Sequence, residues 1–147
     1  MSYPTELLRG ITAKDQIDDD EFPSSVLFYF TERDNLPKRS DNNIEESINW
    51  RDDAGADDVL FNQLKEDKQL QFRFGAAVVC RHELDRVIQT NVVNHQLSYE
   101  RKAIPENKYH GNLLLSRDVP PRVRKKISAT IATMCVKKIM PNPNNQL

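Results

Sequence analysis

A chain of 147 residues with 38% hydrophobic content is long enough to form one domain with a real core. It contains no apolar run near the ~18–20 residues of a membrane span, its first six residues lack the layout of a signal peptide, and its four glycines argue against a glycine-rich nucleotide loop. The formal charge of -1 conceals two poles, because residues 1–70 hold 17 acids against 8 bases and residues 101–147 hold 10 bases against 2 acids.

In chain order, residues 1–23 read as an acidic, partly irregular segment in which Thr5 caps a short turn closed by Gly10. Asp18, Asp19, Asp20 and Glu21 form a charge run. Residues 25–31 read as a strand, dense in β-formers from Val26 to Phe30. A polar loop with Pro37 follows over residues 32–43, then a short helix or strand over 44–50 and a helix begun by Asp52, Asp53, Asp57 and Asp58. These four acids lack the alternating spacing and terminal glutamate of a calcium loop.

Leu70, Phe72 and Phe74 alternate with Gln71 and Arg73, so residues 70–74 predict a half-buried strand that meets Gly75 and continues through Ala76 to Cys80. Residues 82–90 predict an amphipathic helix, 96–104 an edge strand, 105–111 a turn and 112–116 a core strand. Pro120 and Pro121 suit the first turn of a long C-terminal helix. Val123, Ile127, Ile131, Met134 and Cys135 recur along it at helical spacing, and Pro141 sets its end near Met140. Residues 141–147 read as a mobile tail. The pattern predicts a single α+β domain over 1–147: a small mixed, mainly antiparallel sheet of about four or five strands with the last helix across one face.

Arg117, Arg122, Arg124, Lys125 and Lys126 crowd the start of that helix, the end that already carries positive partial charge. An external anion would relieve the conflict and collect the amide hydrogen bonds. A solvated face, or pairing with the acidic first half of the chain, would account for the same run. Tyr109 and His110, with Glu106 as a candidate partner, lie in the loop before the core strand. They permit metal-independent proton transfer on RNA, or mere satisfaction of the turn's backbone groups. Asn107 and the single tryptophan, Trp50, are candidate partner contacts, with edge-of-core packing as the plainer reading of Trp50. Cys80 and Cys135 lie in apolar segments, as buried reduced thiols do. Three histidines and two cysteines, widely spaced, support neither a metal site nor any other cofactor.

Ser47-Ile48-Asn49-Trp50 and Pro105-Glu106-Asn107-x-x-His110, followed by an apolar strand, resemble segments of small uncharacterised prokaryotic proteins with S-[IV]-N-W and P-x-N-x-x-H-[AG] motifs. The resemblance covers residues 47–116, implies a bacterial setting and a paired role for Asn107 and His110, and carries no activity. The expectation is a cytoplasmic, non-enzymatic interaction module that binds nucleic acid or an acidic protein through the basic helix start. The alternatives are a toxin-like or processing RNase using His110, and a homo-oligomer in which acidic and basic poles of neighbours meet.

Overall fold

The structure, a computed structural model, describes residues 3–20, 22–32, 39–90 and 96–145. Six strands and three helices follow in the order β1 (Glu6–Gly10), β2 (Asn43–Trp50), α1 (Gly55–Asn62), β3 (Ala76–Cys80), α2 (Arg81–Ile88), β4 (Leu97–Arg101), β5 (His110–Ser116), α3 (Pro121–Met134) and β6 (Val136–Met140). The strands form one sheet in the order β4-β5-β2-β1-β3-β6. Every neighbouring pair is antiparallel, so the expected α+β class with a mainly antiparallel sheet holds, with six strands in place of four or five.

Side chains alternate across each strand, which divides the sheet into two unlike faces. Leu7, Ile48, Trp50, Val79, Leu113 and Leu115 face one way and pack against Leu84 and Val87 of α2 and Ile127 and Ile131 of α3. Leu8, Ala76 and Val78 face the other way, under Leu60 and Phe61 of α1. The remaining half of that second face, on β2, β5 and β4, carries Ser47, Asn49, Leu114, Asn112 and Glu100, which belong to neither apolar cluster among the described residues.

Several local expectations fail, each for a tertiary reason. Residues 6–10 form a central strand instead of a turn. Leu7 and Leu8 are both fully buried because β1 has a core on each side, and this outweighs local propensity. Residues 25–28 form a 3₁₀ turn instead of a strand, with Leu27, Phe28 and Phe30 buried while Val26 stays 47% exposed. That turn is fastened to α3 by the Ser128 hydroxyl, which donates to the Ser25 carbonyl. Residues 70–74 are turns, joined to Leu64 by a single bridge at Leu70, and the strand begins only after Gly75, whose φ is 102°. A Cβ at Gly75 would overlap the Met140 carbonyl, so only glycine permits the close approach of the two segments.

The C-terminal helix is 14 residues and stops at Met134, not near Met140. Val136 and Ile139 are three apart, a helical spacing, yet both pack on the helix-covered core from a strand. The strand skips a residue between Val78↔Lys138 and Val79↔Val136, and that bulge returns both side chains to one face. The expected mobile tail is tied down at its start. Asn142 is buried, and its amide donates to the carbonyls of Phe61 and Phe72, both at 3.1 Å. Residues 146–147 of that tail, Glu21 of the acidic run and residues 33–38 of the polar loop lie outside the described residues.

Both cysteines are free thiols. Burial pushes the Cys135 thiol up to about 12, so little of it is thiolate near neutral pH. Iodoacetamide at pH 8 should therefore leave Cys135 unmodified in the folded protein and alkylate it once urea is added. Equal rates in the two states would contradict this packing.

Candidate functional site

The two segments singled out in the sequence meet. Antiparallel pairing of β2 with β5 sets Asn49 opposite His110, and the Trp50 amide donates to the Tyr109 carbonyl at 2.8 Å. Asn107 donates its side-chain amide to Asn49 Oδ1 at 2.8 Å and accepts the Tyr109 N–H at 3.0 Å. It also exchanges main-chain bonds with Ile104. Both asparagines are buried, so Asn107 closes the turn and is not an exposed surface contact. Trp50 is fully buried as well. Its indole N–H donates to the Glu100 carbonyl at 3.0 Å, and its ring packs against those of Tyr3 and Tyr99, at 4.7 and 5.2 Å, which also touch each other at 5.0 Å. The partner-contact expectation for both residues is therefore corrected to a core role.

Tyr109 donates its hydroxyl to Asp53 at 2.6 Å. That carboxylate pushes the phenol up to about 12, while Asp53 is held below its ordinary value by the same bond. A phenol so engaged is poorly matched to proton transfer near neutral pH. His110 places Nδ1 2.9 Å from the Lys102 carbonyl, and Glu106 is exposed. His110 opens β5 and Arg117 follows its end, seven residues on, a separation of roughly 23 Å along an extended strand. The histidine and the basic cluster therefore do not converge on one phosphate.

At the start of α3 the five cations divide. Arg117 Nε donates to Glu32 at 2.6 Å. Arg124 turns back onto the carbonyls of Val119 and Arg117, at 2.8 and 3.2 Å. Pro121 brings no N–H, and the amides of Val123 and Arg124 both bond the Pro120 carbonyl, so the first turn offers few free donors. Arg122, Lys125 and Lys126 are exposed and form no ion pair among the described residues. Val26, Tyr29 and Lys125 border a shallow groove of about 420 Å³ beside them.

The poles also meet within the chain. Arg101 grips Asp52 at 2.9 and 2.7 Å, and Lys137 reaches Glu6 at 2.7 Å. Arg39 joins Asp41, Glu45 and Glu100. Hydrogen bonds from these cations hold Asp52, Glu6 and Glu100 below their ordinary values. A carboxylate with a lowered folded value stabilises the fold above its unfolded value and ceases to do so as pH falls through the folded one. Stability to urea should thus be level at neutral pH and decline as pH drops below the ordinary carboxyl values of 3.8 and 4.5. Each half-exposed pair contributes at most about 1 kcal/mol. A urea midpoint equal at pH 7 and pH 3 would contradict these pairings.

Sequence reasoning missed a cavity of about 480 Å³, which lies where β1 and β2 part. Only Leu7↔Trp50 and Leu8↔Asn49 pair across the two strands. The next rung, Gly10 opposite Ser47, is not formed; instead Arg9 sends Nη1 to the Ser47 carbonyl at 2.8 Å. Arg9 Nη2 holds the buried Glu46 at 2.8 Å and Nε holds the Leu27 carbonyl at 3.1 Å. The Phe72 ring lies flush on Gly10, where any Cβ would overlap it. Gln63, Gln71, Asn49 and Asn107 line the cavity and give it a wall rich in amides. No spacing in the sequence announces such a gap, since it arises from strands that diverge.

Among the described residues no group of three His, Cys, Asp or Glu is placed to hold a metal ion, and no helix is long and apolar enough to cross a membrane. Compared with known proteins, the chain matches no family model, no curated sequence and no solved structure, so its own residues carry the functional argument.

Proposed function

We propose that this chain is a non-enzymatic interaction module that docks an acidic protein segment on the exposed face of α3. One observation carries the reading: Arg122, Lys125 and Lys126 stand at i, i+3 and i+4 without ion pairs among the described residues, and Lys125 borders a groove with the exposed Val26 and the half-buried Tyr29. Cations next to exposed apolar side chains suit a segment in which acids flank an apolar anchor. Three unpaired charges would give a nucleic acid only a shallow electrostatic footing, since binding to phosphates scales with the number neutralised. Arg117 and Arg124 contribute by holding the loop that enters the helix.

The test compares a blocked ten-residue Glu/Leu peptide with a ten-nucleotide single strand as probes. The triple variant Arg122→Glu, Lys125→Glu and Lys126→Glu should fold normally, because surface changes of this kind shift stability by only about 0.5 kcal/mol. It should bind the peptide at least tenfold more weakly than the native chain. Unchanged peptide binding, or binding of the oligonucleotide alone, would sink the proposal.

A further inference from the structure

We propose that the gap between β1 and β2 binds a short, extended, uncharged polypeptide segment, which completes the sheet by pairing with Gly10 on one side and with Ser47 and Glu45 on the other. This site is separate from the α3 face and does not depend on it.

The argument is one of main-chain accounting. In an antiparallel strand the N–H and C=O of one residue point to the same side, and successive residues alternate sides. On β2, Trp50 bonds Tyr109 of β5, so residues 44, 46, 48 and 50 turn towards β5. Asn49, Ser47 and Glu45 therefore turn towards β1, as the Arg9 bond to the Ser47 carbonyl shows. On β1, the Ile11 amide bonds the Gly75 carbonyl and the Arg81 amide bonds the Thr5 carbonyl, so the odd residues turn towards β3. Glu6, Leu8 and Gly10 turn towards β2; the Glu6 carbonyl indeed accepts from Arg51 N. After the Leu8↔Asn49 pair the ladder stops, although β2 runs on to Asn43. The main chains of Gly10, Ser47 and Glu45 thus face a cavity that no strand of the described residues fills, with the Arg9 guanidinium on the Ser47 carbonyl as its one main-chain contact there. Backbone groups of this kind are the standard anchor for an added strand.

The walls select the occupant. The described lining sets Arg9, Arg39 and Arg117 against Glu32, Glu45 and Glu46, each in an ion pair, so it selects for neither sign of charge in a guest. Gln63 and Gln71 have side-chain amides that both donate and accept, as peptide groups and polar side chains require. Gly10 brings no side chain into the path, and Phe72 supplies one apolar wall. Among the described residues Ser47 and Glu45 are exposed, on the face of the sheet turned away from α2 and α3, and this gives a guest access to the gap from that side.

Random seven-residue peptides displayed on phage, panned on the full chain, supply the probes; enriched sequences are synthesised with blocked ends and titrated into nitrogen-15-labelled protein. The largest amide shifts should fall on Gly10, Glu45 and Ser47, and exchange of those amides with solvent should slow at least tenfold. Methylating the peptide nitrogens that pair with the gap should weaken binding at least tenfold, while methylating the alternate nitrogens should change it less than twofold. The methyl scan needs no variant of the protein, so it does not depend on a substituted chain folding. The proposal is overturned if no enriched peptide binds, if the shifts centre on Val26, Tyr29 and Lys125, or if methylation acts equally at every position.

Discussion

Trp50→Ala should lower the unfolding free energy by about 3–5 kcal/mol, the range for a fully buried large aromatic. The indole is wholly excluded from solvent, packs against the rings of Tyr3 and Tyr99, and has the Arg101 guanidinium 5.8 Å from its ring. Truncation removes that area, leaves a cavity in the wider of the two cores, and orphans the Glu100 carbonyl that accepts the indole N–H. Trp50→Phe should lose less, about 1–3 kcal/mol, because most of the ring contact survives while the donor does not. Gly111 shows how tightly the site is filled, since a Cβ there would overlap the indole nitrogen. Urea unfolding followed by far-ultraviolet circular dichroism reads both variants without relying on the fluorophore being removed. A loss below 1 kcal/mol for Trp50→Ala would mean that the ring is not the core element described here and would reopen its reading as a partner contact.

Trp50 also shows what the sequence makes legible. A lone tryptophan flanked by polar residues fits a surface anchor or an edge plug, and only the pairing of β2 with β5 decides between them. The α+β class, the helices expected over 82–90 and from Pro121, and the strands expected through 76–80 and over 112–116 follow from local pattern. Each helix presents an apolar face to one core, and residues 76–80 are a continuous apolar run because Ala77 and Val79 face one core and Ala76 and Val78 the other. Residues 6–10 were illegible for the opposite reason. Leu7 and Leu8 are adjacent and face opposite cores, so no alternation marks the strand. Residues 136–140 were hidden by the bulge, which gives a strand the spacing of a helix. Among the site residues, the exposed cations of α3 were visible as a charge run. The engagement of Arg117 by Glu32, 85 positions away in the chain, was not. Gly10, Gln63 and Gln71 form a site only because two strands separate, and that separation is written in no residue alone.

Arg9→Met should cost about 3–5 kcal/mol, the loss expected when one partner of a buried ion pair is removed and the other is left uncompensated. Arg9 is 14% and Glu46 5% exposed at the side chain. The guanidinium donates to Glu46, to the Ser47 carbonyl and to the Leu27 carbonyl, so it ties β1 to β2 where the ladder has ended and to the turn beneath α3. Methionine keeps much of the length and none of the donors. Glu46 would then retain only the Thr31 amide, at 3.2 Å, for a carboxylate in a nearly dry position. The cost falls mainly on the abandoned acid, because well-packed apolar replacements of a whole buried pair are often neutral. The double variant Arg9→Met with Glu46→Leu should accordingly be more stable than Arg9→Met alone, by at least ~1 kcal/mol in a double-mutant cycle. Losses that simply add would show that the pair is not coupled. The arginine would then be only a solvated lining of the gap.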